Sequence, residues 1–295
     1  MSEKNLQSAD LQAGDVLLYN SDTRVAWAIR TLDGTDVNHA GLYLGKEIVG
    51  EALCRGIIQQ PLQQSIDGCN WIAVRRYNGN LPSEGVTPVL ENAANTINIQ
   101  ERYAFEQIVL LALICTRRKL DFDGSPILKR LVKKVLNFAT QKLGKIKSQG
   151  EPMICSEFVY RSFTNAGCPV KLQRDDGFVG LSLTASTGHN PVPKRFADAS
   201  ITCEEIGALI QQYQVEIGES DTNENIMFGC ISDEEVTIDE LDDDIHSFLD
   251  VLSSQSAPLL CGIAESQSVD PNFVTPGDLL NSPSFTDIGK LKPQQ

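Results

Sequence analysis

The chain has 295 residues, of which 41% are hydrophobic, and a formal net charge of −14 at pH 7. That fits a folded globular protein with one large core or two smaller ones, and so acidic a balance argues against nucleic acid as a partner. Eight cysteines, at 54, 69, 115, 155, 168, 203, 230 and 261, form no close CxxC pair, which argues against a structural zinc site and a disulfide framework; no metal or cofactor is indicated.

The first residues, MSEKNLQSAD, have no apolar stretch behind a basic one, so no secretory signal is expected and a cytoplasmic location is the default expectation. Strands are expected at 15–19, 39–45, 47–53, 56–60 and 71–77, with Trp27 in a short helical link between the first two. Gly45 to Glu47, Gln59-Gln60-Pro61 and Asp67-Gly68 mark turns. Helices are expected near 83–97, 101–118, 125–146 and 152–167, the second carrying the core stripe Phe105, Ile108, Val109, Leu111 and Ala112. The longest apolar run, Ile108 to Cys115, is far too short to span a bilayer. Strands followed by helices point to an α+β fold, a small antiparallel sheet packed against helices.

Charge divides the chain. Residues 1–195 carry a net +4 and residues 196–295 a net −18, with no Lys or Arg between Arg195 and Lys290. The densest acidic run, Ser232 to Asp244, is followed by Ile245, Phe248, Leu249 and Leu252 at helix-like spacing, enough for a short amphipathic element. Residues 126–143 read as an amphipathic helix with a lysine-rich polar face, including Lys129, Lys133, Lys134 and Lys142. That face is an ordinary solvated surface, a site for an anionic membrane or substrate, or a surface covered by the acidic segment of the same chain. Covering within the chain is favoured over membrane binding.

Two residues carry the chemistry. Pro152 precedes the periodic run Ile154, Phe158, Val159 and Phe163, and proline suits the first turn of a helix. Cys155 is therefore expected near a helix N-terminus, where the dipole favours a thiolate. His39 opens a strand in which Ala40, Leu42 and Leu44 alternate with Gly41, Tyr43 and Gly45. A histidine at a strand mouth facing a thiol at a helix start is the papain-like layout, here with the histidine before the cysteine, which suggests a circular permutation. Taken singly, each residue has a plainer structural reading: a lone helix cysteine is usually core, and His189 and His246 lie in no motif. Phosphate-loop chemistry is not supported, because neither Gly45-Lys46 nor Gly144-Lys145 closes a glycine-rich loop. Gly180-Leu181-Ser182-Leu183-Thr184 lacks the closing glycine of a serine nucleophile elbow.

Four blocks, GDVLLY (Gly14 to Tyr19), NHAGLYLG (Asn38 to Gly45), VGEAL (Val49 to Leu53) and CSEFVY (Cys155 to Tyr160), resemble the permuted papain-like amidases of the NlpC superfamily, in particular the YiiX-like group. TPGDLLNSPSF (Thr275 to Phe285) resembles that group's C-terminal segment. The resemblance covers residues 11–195 and 272–290 and implies a catalytic domain of residues 1–200 plus 270–295, with 201–269 as an acidic insertion. It also implies a Cys155–His39 dyad completed by a polar residue on the strand after the histidine strand, at the position of Glu51. A histidine acting as base needs its second ring nitrogen held by such an acceptor. The Cys155 backbone N–H is one expected oxyanion donor; Tyr19 and Asn38 are positional candidates for the other, and Ser156 is a further site-lining candidate.

The reaction implied is hydrolysis of an amide through a Cys155 thioester, with a peptide or muropeptide as substrate. An acyl-lipid hydrolase or acyltransferase is the alternative, because the lecithin retinol acyltransferases share the His-then-Cys order and a Cys-x-x-Phe-Val block. A non-catalytic interaction module and a protein-modifying enzyme are the remaining readings.

Overall fold

Short apolar-rich runs bounded by turn residues place five strands. They are β2 (Val16–Ser21), β3 (His39–Gly45), β4 (Ile48–Leu53), β5 (Gly56–Pro61) and β6 (Cys69–Tyr77). The computed structural model describes residues 4–53, 56–98, 112, 126–145, 153–172, 236–255 and 274–293. Two strands were not expected, β1 (Asn5–Leu6) and β7 (Phe285–Leu291). The sheet runs β1-β7-β6-β2-β3-β4-β5, with β1 parallel to β7 and each other neighbouring pair antiparallel. The small antiparallel sheet expected is thus corrected to a mixed, seven-stranded one. β1 is two residues long and β7, FTDIGKL, has no clean alternation, so pairing with neighbours, rather than local pattern, makes them strands.

The β3–β4 hairpin sets the register that matters for the site. Gly45, Lys46 and Glu47 all have positive φ (92°, 51° and 59°), the left-handed backbone that tight hairpins require. The Tyr43 hydroxyl accepts the Glu47 N–H at 3.0 Å. Beyond this turn Gly41 lies opposite Glu51, which makes His39 and Glu51 diagonal neighbours on one face.

The helices are α1 (Arg24–Asp33), α2 (Leu62–Ile66), α3 (Thr87–Asn98), α4 (Pro126–Lys145), α5 (Cys155–Thr164), α6 (Ile238–Gln255) and α7 (Pro276–Asn281). The helix expected over 101–118 lies outside the described residues except for Ala112. The sheet separates two cores. Val16, Leu18, Ala40, Leu42, Ala52 and Ala73 turn to one side with Phe158, Val159 and Phe163 of α5 and Val89 and Ala93 of α3. Leu17, Tyr19, Tyr43, Val49, Ile72 and Val74 turn to the other, where Leu62 and Ile66 of α2 cover them. The period of two along each strand explains the split.

The C-terminal segment is tied to the rest through α7 and β7. Thr275 caps α7, its hydroxyl accepting the Asp278 N–H at 3.1 Å. The Gly277 N–H donates to Asp33 of α1 at 2.9 Å, and the Ser156 hydroxyl of α5 donates to the Val274 carbonyl at 2.7 Å. β7 then enters the sheet between β1 and β6.

The lysine-rich helix meets the acidic one. Val132, Val135, Leu136 and Ala139 of α4 and Leu241 and Phe248 of α6 are buried, and the two helices pack together. Lys133 Nζ lies 3.3 Å from Glu240 Oε2, and Asn137 donates to Asp244 at 3.4 Å. These pairs advance one turn in the same direction on both helices, so α4 and α6 run parallel. Among the described residues no helix is long and apolar enough to cross a membrane.

Candidate active site

The first residue of β3 and the fourth of β4 form the centre of the site. His39 Nε2 lies 3.0 Å from Glu51 Oε2, with 6% and 2% of the two residues exposed. Tyr19 pairs with His39 across β2 and β3, and their rings stand 5.2 Å apart. The second Glu51 oxygen, Oε1, accepts from Gln60 Nε2 at 3.1 Å and from the Tyr19 hydroxyl at 3.5 Å; that hydroxyl is 2.6 Å from Ser65 Oγ.

Burial pushes the Glu51 carboxyl upward, but the hydrogen bond and charge of His39, aided by Ser65 and Gln60, prevail and hold it below its ordinary value. Glu51 is therefore ionised. Burial, then the Glu51 charge, push the Tyr19 hydroxyl well above its ordinary range, so it stays protonated and can donate. Cys69 lies on this side of the sheet as well. Burial and the Glu51 charge, opposed by His39, push its thiol up to about 11.

Cys155 is the first residue of α5 and is fully buried. Ile154 before it is extended, and the Glu157 carboxylate accepts the Ile154 N–H at 3.4 Å while pairing with Arg161 at 2.8 Å. The thiol thus stands at the positive end of a ten-residue helix. The helix lies on β3 and β4. Gly50 makes room for it: a Cβ there would stand 3.1 Å from Phe158 Cζ.

Of the side chains singled out in the sequence, His39, Glu51 and Tyr19 come together. Cys155 joins the core on the Ala40 side of the sheet. Asn38 and Ser156 are engaged elsewhere. The Asn38 amide donates to Ser21 Oγ at 3.0 Å and accepts the Ser21 N–H at 2.9 Å, while Ser156 holds Val274. The residues that sequence reasoning missed are Gln60 and Ser65. Gln60 sits opposite Val49 on β5, on the Glu51 face, a signal readable only once the register of β4 and β5 is known. Among the described residues no group of three or more His, Cys, Asp and Glu side chains is placed to hold a metal ion.

No family model matches the chain. Over 174 residues it is 24% identical to the probable lipoprotein peptidase YaeF of Escherichia coli (strain K12), a stretch covering 58% of this chain and 62% of that protein. The chain therefore spans less than two thirds of this relative. The chain resembles the YiiX-like group. Among solved structures, the metalloprotein yiiX of Escherichia coli O157:H7 aligns with 18% identity and a TM-score of 0.33, covering 71% of this chain and 83% of that one. The blocks that resemble the YiiX-like group also hold Tyr19, His39, Glu51 and Cys155.

Proposed function

We propose that this chain is a cysteine hydrolase of amide bonds, with Cys155 as nucleophile, His39 as general base and acid, and Glu51 as the residue that orients His39. The buried 3.0 Å contact between His39 Nε2 and Glu51 Oε2 carries the reading, because an ionised carboxylate on one ring nitrogen fixes the tautomer and stabilises the imidazolium. With Nε2 engaged, Nδ1 is the nitrogen that exchanges a proton with sulfur. The peptidase name of the YaeF relative supports a hydrolase acting on peptide-like substrates.

The helix of Cys155 packs on the Ala40 and Leu42 side of β3, whereas His39 and Glu51 turn toward Tyr19 on the other. The reading requires the thiol and the ring to meet at the mouth of β3, where His39 begins the strand, rather than across its middle. Transfer of the thiol proton to His39 gives a thiolate, which the helix N-terminus favours. Sulfur then bonds to the substrate carbonyl carbon, and the negative charge on oxygen is met by the Cys155 backbone N–H. As the C–N bond breaks, His39 returns the proton to the leaving amine. A water molecule, deprotonated by His39, attacks the thioester and releases the acid.

Cys155→Ser and His39→Ala test this. Each is expected to lower turnover of a peptide or muropeptide substrate by about a thousandfold or more, with an unchanged circular dichroism spectrum. Near wild-type turnover in either folded variant would remove the assignment.

A further inference from the structure

Glu51 has two oxygens and His39 uses one of them. A carboxylate turns easily about its last torsion, so a contact through Oε2 alone leaves its plane undetermined. A second set of groups meets the other oxygen: Gln60 donates to Oε1 at 3.1 Å, and the Tyr19 hydroxyl approaches at 3.5 Å while standing 2.6 Å from Ser65. These groups come from β5, β2 and α2, three elements around the strand that carries Glu51. Their meeting place exists because residue 41 has no side chain. A Cβ on Gly41 would stand 3.0 Å from the Tyr19 hydroxyl oxygen and 3.1 Å from Glu51 Cγ.

We propose that Gln60 and the Tyr19–Ser65 hydroxyl pair are positioning residues of this site, acting through Glu51, and that Gly41 keeps open the space in which they hold it. The inference rests on the Cys155–His39–Glu51 reading. Gln60 and Tyr19 saturate Oε1, so the ionised carboxylate is held in one plane with Oε2 directed at His39 Nε2. Ser65 fixes the Tyr19 hydroxyl from behind. Loss of a donor leaves a buried, charged oxygen with fewer partners, a cost borne by the ionised form of Glu51. The carboxyl pKa then rises, the imidazolium loses support, and the thiolate it faces becomes rarer.

The test uses the full chain and iodoacetamide, following alkylation of Cys155 by peptide mass mapping across pH, which requires no substrate. At about pH 6, Gln60→Ala, Tyr19→Phe and Gly41→Ala are each expected to slow Cys155 alkylation about tenfold and to move the profile to higher pH, in the same direction as Glu51→Gln. Gly41→Ala removes no hydrogen-bonding group, so a shift there reports geometry. Gln60 is half-buried on the last strand of the sheet, and its truncation leaves both cores intact, so this variant decides the matter if Gly41→Ala does not fold. Profiles of Gln60→Ala and Tyr19→Phe that superimpose on wild type, beside a shifted Glu51→Gln, overturn the inference and leave the catalytic reading standing. An unshifted Glu51→Gln profile overturns both.

Discussion

Glu51 is an ionised carboxylate inside the protein, and His39 is the chief reason it can be. Its folded pKa lies below its unfolded one, so the unfolded chain binds more protons between the two values. The stabilisation is therefore present above the ordinary carboxylate range and is lost as pH falls through the lowered folded value. Melting temperatures of wild type and Glu51→Gln are expected to differ most near neutral pH and to converge in acid; a constant difference across pH contradicts this. Cys69 makes a useful contrast. It shares the side of the sheet on which His39 and Glu51 meet, but a thiol pushed up to about 11 stays protonated at neutral pH, so nearness to the histidine does not make it a nucleophile. Sequence blocks pointed to His39 and Glu51 because their spacing brackets a hairpin. Gln60 and Ser65 were not legible, since an edge-strand glutamine and a serine in a five-residue helix carry no pattern of their own.

At the scale of elements, apolar packing rather than charge holds the pieces in place. In the parallel pair of α4 and α6, Lys133 and Glu240 are both substantially exposed, and exposed ion pairs contribute little. Phe248 is fully buried. Phe248→Ala is expected to cost about 3–5 kcal/mol and to speed amide exchange in α4, while Lys133→Ala leaves exchange there nearly unchanged. The reverse order would assign the pairing to electrostatics. Amphipathic periodicity predicted both helices, and the opposite charges suggested their contact; their parallel direction depends on the 92 residues between Lys145 and Ile238, whose path no local pattern dictates. The helix that carries Cys155, expected over 152–167, spans Cys155–Thr164, close because the CSEFVY block and Pro152 mark its start.

For the molecule as a whole, the arrangement depends on contacts between distant parts of the chain. β7 closes the gap between β1 and β6, and Val274, just before α7, receives the Ser156 hydroxyl next to Cys155. β1 and β7, distant in sequence, thus form one edge of the sheet on which the site is built. The five central strands were legible as short apolar-rich runs between turn residues, and the turn at Gly45 to Glu47 from its residues. β1 and β7 were not, because a two-residue strand and a strand containing Asp287 and Gly289 acquire their state from pairing. The claim that joins fold to function is that sulfur at the start of α5 and the His39 ring act on one acyl group. Its most direct test is acid-quenched mass spectrometry of the chain after brief exposure to a panel of peptide, muropeptide and lipid acyl substrates. The expected result is an acyl adduct on the peptide containing Cys155, absent in His39→Ala; turnover with the acyl group on another residue, or with an adduct indifferent to His39, would contradict it.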